Sequence, residues 1–309
     1  MLTISNTPNF RIEKPCVATI GTFDGVHLGH QKLLYQLKTA KQTLGLQTVV
    51  LTFDPHPRKI LFPEQTDLKL LSLTNEKLDL LKSYGVDVTV VYPFDRDFAS
   101  IDAEKYIAEI LIKQLNVKHL IIGYDHKFGK NREGDFQLLR KFSTKYNFTV
   151  EEISAKDIDN ITISSSKIRK ALELGDVELA KNFLGHAYFT KALVIKGKQL
   201  GNKIGFPTAN LKIMDSNKLI PKIGVYFVSV EIDSKTFFGM MNIGTNPTVE
   251  STLNIKQEVN IFDFDGDLYN QTIKINFIKR LRNEIKFDSL EELILQLKID
   301  KQTCLNLLK

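Results

Sequence analysis

The chain has 309 residues, of which 43% are hydrophobic and 25% are charged, and its formal net charge is +6. This composition is typical of a soluble globular protein with room for two domains. It argues against a membrane protein, since no apolar stretch approaches the length of a bilayer span, and against a disulfide scaffold, since the only cysteines are Cys16 and Cys304.

The first half of the chain alternates predicted strands with predicted helices. Apolar, β-branched runs predict strands at 17–20, 47–53, 86–92, 118–123 and 148–153. Segments of helical period lie between them, near 31–44, 74–83, 102–114 and 134–145. This alternation predicts a parallel sheet covered by helices, in which ligands bind beyond the carboxyl ends of the strands.

A glycine-rich segment, Gly21–His30, joins the first predicted strand to the first predicted helix. Gly21 and Gly25 let the backbone approach a ligand closely, and a helix start presents free N–H groups to an anion. His27 and His30 are three residues apart, so both rings can face one point. We interpret the segment as a site that holds a nucleotide's phosphates. Helical zinc ligands would be four apart with Glu between them, and a plain tight turn is the other alternative.

Further polar motifs follow other predicted strands. The turn Asp54–Arg58 is stiffened by two prolines and offers His56 and Arg58. The segment Gly123–Gly129 follows the fourth strand, and Ser164–Arg169 places hydroxyls and a guanidinium at a helix start. Because these motifs fall at strand ends, we expect them to share the nucleotide site.

The second half changes character. A helical pattern over 164–183, with a break near 174–176, gives way from about Tyr188 to short strands separated by Gly and Pro turns. The predicted strands are 188–196, 223–232, 236–243, 258–264 and 271–278, and one helix follows near 289–298. We predict an antiparallel barrel or sandwich closed by that helix, with a domain boundary close to Leu184.

Three glycines spaced four apart, Gly197, Gly201 and Gly205, predict a flexible loop whose backbone could wrap phosphates. Such loops are common in hairpins, so this signal is weak by itself. Thr208 and Asn210 add oxygen donors at alternate positions, which in an extended segment point one way, as Mg²⁺ requires. In isolation, ordinary turn hydrogen bonding explains both residues better.

Glu258 shares one face of a predicted strand with Asn260, Phe262 and Phe264. A carboxylate aligned with aromatic residues lies either at a rim or in an acid–base role. The neighbouring Asp263–Asp267 is superficially like a calcium loop, but its glycine comes too early and an Asp-Gly hairpin turn is favoured.

The first-half motifs resemble a known family. His27-Leu-Gly-His30 is similar to the His-x-Gly-His signature of nucleotidyltransferases, and with Thr52–Arg58, Gly123–Gly134 and Ser164–Arg169 it resembles the adenylyltransferase module of bacterial bifunctional riboflavin kinase/FAD synthetases. The resemblance implies an α/β nucleotidyltransferase domain with a Rossmann-like parallel sheet over 1–184, with His27, His30 and Arg169 acting on ATP. The residues that it implies in ATP or FMN binding are Gly21, Phe23, Asp24, Gly25, Gly29, His56, Arg58, Gly123, Asp125, Phe128, Arg132, Ser164, Ser165 and Ser166.

The second half resembles the riboflavin kinase module of the same family. The segments that carry this resemblance are Gly205–Asn210, Gly224–Tyr226, Asn242–Thr248, Asp263–Tyr269 and Arg282–Phe287. It implies an antiparallel β-barrel kinase domain with a C-terminal helix over 185–309, in which Thr208 and Asn210 bind Mg²⁺ and Glu258 deprotonates the riboflavin 5′-hydroxyl. Arg282 is expected to close over flavin or nucleotide. The remaining implied binding residues are Gly197, Gly201, Gly205, Pro207 and Asn242.

Several positions depart from the family's usual pattern. Ser166 stands where Thr is usual, Leu200 and Asn202 replace basic residues, Asn260 replaces His, and Asn270 replaces Gly. The changes at Leu200 and Asn202 keep open an adenylyltransferase whose second domain only binds flavin.

A nucleic-acid-binding barrel is a second rival, for which Lys274–Arg280 is the only hint. We expect riboflavin, FMN and ATP as substrates, no nucleic-acid or membrane partner, and a cytoplasmic protein without a signal peptide. The oligomeric state stays open, and a homo-oligomer is compatible with the sequence.

Overall fold

The structure is a computed structural model of the chain, and it describes residues 1–64, 68–154, 163–197, 201, 204–246 and 254–308. Internal contacts divide the chain into two units, Met1–Ser165 and Ser166–Lys309. Within the described ranges, no helix combines the length and the apolar character that crossing a membrane requires.

The first unit is built on a six-stranded sheet of order β1-β4-β3-β2-β5-β6, in which all neighbouring strands are parallel. The strands are β1 (Leu2–Ser5), β2 (Cys16–Ile20), β3 (Gln47–Asp54), β4 (Val88–Pro93), β5 (Val117–Gly123) and β6 (Thr149–Ile153). Along β2, Cys16 and Ala18 join one core layer and Val17 joins the other, so the strand is buried throughout. Burial on both faces is what a parallel sheet covered by helices requires.

Helices cover the two faces of this sheet. They are α1 (Leu28–Leu44), α2 (Pro57–Leu61), α3 (Thr74–Ser83), α4 (Arg96–Ala99), α5 (Ala103–Lys105), a π-helix (Tyr106–Gln114) and α6 (Phe136–Tyr146). The predicted parallel sheet is confirmed, but the sequence did not predict β1. That strand is four residues long and mostly exposed at the edge of the sheet, so it lacks the buried pattern that identifies the others.

The second unit is a closed barrel of order β10-β11-β8-β7-β12-β9 with antiparallel neighbours. Its strands are β7 (Phe189–Ile195), β8 (Ala209–Lys212), β9 (Gly224–Ile232), β10 (Lys235–Asn246), β11 (Asn254–Ile261) and β12 (Thr272–Arg282). The helices are α7 (Ser165–Leu174) and α8 (Val177–Leu184) before the barrel and α9 (Leu290–Asn306) after it. The predicted barrel and C-terminal helix are confirmed, and β8 is an additional short strand.

An ion pair ties α9 to the end of β12. The guanidinium of Arg282 donates to the carboxylate of Asp300 from Nε (3.0 Å) and from Nη2 (2.7 Å). Gln296, one turn earlier on α9, donates to the same carboxylate (2.9 Å). Asp300 is only 3% exposed, so its charge depends on these partners.

We expect Asp300→Ala to lower the free energy of unfolding of the second unit by about 3 kcal/mol, because removing one partner leaves the Arg282 charge partly buried and unpaired. Denaturant titration of the full chain measures this change. Glu231→Gln is the matched control, since it breaks an exposed ion pair with Lys274 (2.9 Å) and should cost less than about 1 kcal/mol. Equal unfolding curves for the two variants would contradict the expectation.

Candidate active sites

The chain turns sharply between β2 and α1. The backbone is left-handed at Phe23 (φ 49°), Gly25 (φ 78°) and Val26 (φ 42°), and for a β-branched residue such as Val26 this conformation is strained. α1 begins at Leu28, earlier than the sequence predicts, so His27 occupies the N-cap position. The first turn of α1 contains no acidic side chain, and its free N–H groups therefore keep their preference for an anion.

The two histidines of this turn stack on each other. The ring centroids of His27 and His30 are 3.7 Å apart with an angle of 18° between the planes, and Phe23 lies against His30 at 4.9 Å. Burial, the neighbouring His27 and the ammonium group of Lys77 hold the pKa of His30 well below its usual value. His30 is therefore neutral at pH 7, and its buried Nδ1 has no hydrogen-bond partner among the described residues.

Asp24 braces the turn from inside. Its carboxylate is 3% exposed and accepts a hydrogen bond from the backbone N–H of Ser72 (3.0 Å). The Ser72 hydroxyl in turn accepts from the N–H of Gly25 (2.9 Å), and Ser165 Oγ donates to the carbonyl of Asp24 (3.2 Å). Three predicted binding residues, Asp24, Gly25 and Ser165, thus belong to one hydrogen-bonded network, in which Ser72 was not predicted.

The loop after β3 lies next to this turn because β2 and β3 are neighbours in the sheet. His56 is the N-cap of α2, and its Nδ1 accepts a hydrogen bond from the backbone N–H of Arg58 (3.2 Å). The side chain of Arg58 is exposed, whereas His56 is half-buried. Pro57 therefore occupies the first position of a short helix, in which Arg58 is an exposed residue.

The loop after β5 combines core residues with exposed ones. Phe128 is buried and packs against Tyr106 (5.2 Å between centroids), and His126 stacks beside it at 5.9 Å. Burial and the nearby Arg132 lower the pKa of His126 to about 4. Asp125 and Arg132 are exposed, so only these two of the predicted loop side chains are open to a ligand in this structure.

The predicted serine cluster lies at the start of α7. Ser164 precedes the helix and is half-buried, whereas Ser166 is exposed. Arg169 is only 8% exposed.

Lys77 on α3 is a buried charged residue that sequence reasoning missed. It is 6% exposed, and its Nζ donates to Thr52 Oγ1 (2.9 Å) and to the carbonyls of Thr22 and Phe53 (both 3.2 Å). The one available signal was that Lys77 precedes the buried Leu81 by four residues and so falls on the apolar face of the helix.

In the second unit, the register of the barrel aligns candidate residues from five strands. Asn210 of β8 lies opposite Glu258 of β11, and Glu258 lies opposite Asn242 of β10. Asn242 lies opposite Val225 of β9, which lies opposite Arg282 of β12. Directly opposed residues project from the same face of a sheet, so these five positions form one band across the barrel.

A cavity of about 310 Å³ lies against this band. Inside it, Lys256 Nζ is 2.7 Å from Glu258 Oε1, and these side chains are 37% and 24% exposed. The Glu284 carboxylate lies against Gly244, where a Cβ atom would overlap it unless the glutamate side chain moved. The cavity is lined by Gly201, Ile204, Phe206, Thr208, Val225, Met240, Asn242, Lys256, Glu258, Asn260, Arg282, Glu284, Ile285, Phe287, Leu293 and Leu297.

The glycine loop contacts the two predicted metal ligands. A Cβ atom on Gly197 would overlap the side-chain amide of Asn210, and one on Gly201 would lie 3.2 Å from Thr208 Oγ1 and overlap the Phe206 carbonyl. Gly205 has a left-handed backbone (φ 77°). Leu200, Asn202 and the motif residues Pro247 and Thr248 lie outside the described residues.

The structure shows the local role of two residues that depart from the family pattern. Asn260 Nδ2 donates to the carbonyl of Pro207 (2.6 Å) and so holds the segment that leads to Thr208. Asn270 adopts a left-handed backbone (φ 61°), the conformation for which glycine is favoured and asparagine is tolerated.

Comparisons with known proteins cover both halves of the chain. A family model described as FAD synthetase matches residues 9–167, and one described as riboflavin kinase matches residues 184–308. A relative from Haemophilus influenzae, named bifunctional riboflavin kinase/FMN adenylyltransferase, is 40% identical over 95% of this chain and 94% of its own. The chain belongs to the bifunctional riboflavin kinase/FMN adenylyltransferase family.

Two further comparisons agree with this membership. A relative of the same name from Escherichia coli is 38% identical over 94% of this chain and 92% of its own. A solved structure named as a macrolide-efflux protein from Streptococcus pneumoniae is 32% identical, covers 99% of each chain and superposes with a TM-score of 0.90. That protein therefore has the same fold as this member of the family.

We expect a titration of the imidazole NMR signals to give a pKa of about 4 for His126 and one well below the usual value for His30. Arg132→Ala should raise the pKa of His126, because the guanidinium opposes protonation, and should leave His30 unchanged. His27→Ala should raise the pKa of His30. Unshifted titration of either histidine in the unmodified chain would contradict the burial described for it.

Proposed function

We propose that the chain phosphorylates riboflavin with ATP to give FMN, and adenylylates FMN with a second ATP to give FAD and pyrophosphate. The observation that carries this proposal is that two family models match separate parts of one chain, and each part has its own constellation of candidate residues. Residues 1–184 would carry the adenylyltransferase, and residues 185–309 would carry the kinase.

In the adenylyltransferase, an oxygen of the FMN phosphate attacks the α-phosphorus of ATP in line. The new P–O bond forms as the bond to the β-phosphate oxygen breaks, and pyrophosphate leaves. The turn Gly21–His30 and the start of α1 bind the phosphates of ATP through backbone N–H groups. His27, His30 and Arg169 stabilise the charge that develops, and because His30 is neutral its imidazole acts as a hydrogen-bond donor.

The other predicted residues of this site position the substrates. FMN is held near His56 and Arg58, and the Ser164–Ser166 segment binds ATP. Gly123, Asp125 and Arg132 would complete the surroundings of the two ligands, and the buried Phe128 would hold their loop in place. The exposed guanidiniums of Arg58 and Arg132 support this division, because guanidinium groups pair well with phosphate.

In the kinase, Glu258 takes the proton of the riboflavin 5′-hydroxyl as the hydroxyl oxygen attacks the γ-phosphorus of ATP, and ADP leaves. The ion pair with Lys256 through Oε1 fixes the carboxylate and leaves Oε2 to accept the proton. Asn242, beside Glu258 in the register, and Arg282 border the cavity in which the flavin would bind. Gly197, Gly201, Gly205 and Pro207 would hold the ATP phosphates.

Thr208 and Asn210 fit Mg²⁺ by their donor chemistry, because hydroxyl and amide oxygens are hard ligands. Among the described residues, no group of three or more His, Cys, Asp or Glu could hold a metal ion. Protein-bound Mg²⁺ commonly has few protein ligands and shares the substrate's phosphates, which suits this pair. When bound, Mg²⁺ supplies neutralisation of the phosphate charge.

We further propose that the enzyme acts in a reducing cytoplasm. Cys16 and Cys304 are free and buried, and burial raises the pKa of both thiols to about 12. Neither thiol is therefore poised for oxidation or disulfide formation.

A chromatographic time course with riboflavin, ATP and Mg²⁺ tests both activities. We expect FMN to appear first and FAD to follow, because the second reaction consumes the product of the first. Purified protein that forms no FMN would refute the kinase, and protein that forms no FAD from added FMN would refute the adenylyltransferase.

Reciprocal variants separate the two sites. Glu258→Gln should lower FMN formation by about 10²–10⁴-fold, since it removes the base, while FAD formation from added FMN continues. His30→Ala should lower FAD formation by about 10²–10³-fold, since it removes a charge-stabilising donor, while FMN formation continues. Each variant is the folding control for the other, and loss of both activities in a folded variant would contradict separate sites.

A further inference from the structure

Lys77 is a buried ammonium group that the adenylyltransferase mechanism above does not use. Its three hydrogen bonds reach two separate segments of the chain. The Thr22 carbonyl belongs to the turn after β2, whereas Thr52 Oγ1 and the Phe53 carbonyl belong to the end of β3. Thr52 Oγ1 also donates to the Thr22 carbonyl (3.0 Å). The hydrogen bonds of Lys77 and Thr52 therefore form a clamp that holds the two segments together.

The charged groups around Lys77 come from three elements. Asp24 in the turn and Asp54 at the end of β3 favour the ammonium form, whereas burial opposes it more strongly and lowers the pKa of Lys77 to about 8. The third group is His30 on α1, whose pKa is lowered in part by the charge of Lys77. The ammonium group is thus electrostatically coupled to a histidine that would contact ATP.

We propose that Lys77 is a positioning residue for adenylyl transfer, which fixes the ATP-binding turn relative to the FMN-binding loop and places a positive charge behind the phosphates. This inference rests on the proposed adenylyltransferase function. The turn after β2 would hold ATP, and the segment that follows Phe53 would hold FMN near His56. A clamp between these two segments sets the separation of the nucleophile from the α-phosphorus, a distance to which in-line transfer is sensitive.

The chemistry of the ammonium group gives this role a specific pH dependence. Loss of its proton removes the positive charge and one of three donors, so one acceptor loses its partner. Bound polyphosphate favours the charged form and raises the pKa of Lys77, because opposite charges attract. The fall in rate at alkaline pH should therefore appear near pH 8 in kcat/KM for ATP, which reports the free enzyme, and at higher pH in kcat.

Deprotonation of Lys77 would not cause such a fall by destabilising the fold. Lys77 has a folded pKa of about 8 and an ordinary value of 10.5, so the unfolded chain binds more protons between these pH values. The contribution of Lys77 to the free energy of unfolding therefore rises with pH over the same range in which activity falls.

The test compares Lys77→Met and Lys77→Arg with the unmodified full-length chain, using FAD formation from added FMN. Lys77→Met should lower kcat about a hundredfold, raise KM for ATP by a smaller factor of about tenfold or less, because the charge that attracts the phosphates is gone, and lose the inflection near pH 8. Lys77→Arg should keep more activity and also lose the inflection, because guanidinium stays protonated. Lys41→Met is the matched control: it removes a lysine of the same unit that pairs with Asp87 (2.6 Å), and it should retain kcat and the inflection.

A second measurement needs no variant. The side-chain NMR signal of Lys77 should titrate near pH 8 in the free protein and at higher pH with a non-hydrolysable ATP analogue. If the unmodified chain forms no FAD from added FMN, the proposed function fails and not this inference alone. If the unmodified chain does form FAD, two results would overturn the inference. One is a Lys77→Met variant that keeps full kcat and the inflection near pH 8. The other is a pKa of Lys77 that does not change when the ATP analogue binds.

Discussion

Parallel pairing of the strands is the constraint on which the first site depends. Two parallel strands cannot be joined by a hairpin, so each connection crosses the sheet and every strand of the unit ends at the same edge. β3, β2 and β5 are also neighbours in the sheet order, with strand axes about 5 Å apart. The segments after these strands, which carry His56, His27 and Asp125, are therefore adjacent, although they are far apart in sequence.

In the barrel, the register of the paired strands brings residues from distant parts of the sequence together. Asn210, Glu258 and Asn242 come from three strands, and they share a face because each is directly opposed to the next. A slip of one residue in β11 would turn the Glu258 side chain to the other face and bring Gln257 or Val259 into its place. The position of the carboxylate thus depends on the hydrogen-bond ladder of the barrel more than on any contact of its own.

The sequence predicted most elements because their signals are local. Buried strands such as β2 are continuous apolar runs, and glycine marks the turn at Gly25. What it could not predict depends on packing between distant segments. Lys77 meets Thr52 only after α3 packs against the sheet, and Asp300 meets Arg282 only after α9 packs on the barrel. Sequence patterns describe where a charge lies along a helix, but the fold decides which acceptors surround it.

Under the proposed function, the two sites differ because their nucleophiles differ. A phosphate monoester is largely ionised at neutral pH, since its second pKa is near 6, so the FMN phosphate needs no base. In the first site the buried carboxylate of Asp24 accepts a hydrogen bond from Ser72, and the site offers backbone N–H groups and the neutral imidazole of His30 to the substrates. The riboflavin hydroxyl must lose its proton during transfer, and a general base provides for that. Glu258 lines a cavity of the barrel and lies 2.7 Å from the ammonium group of Lys256, so the geometry supports the proposal that it is this base.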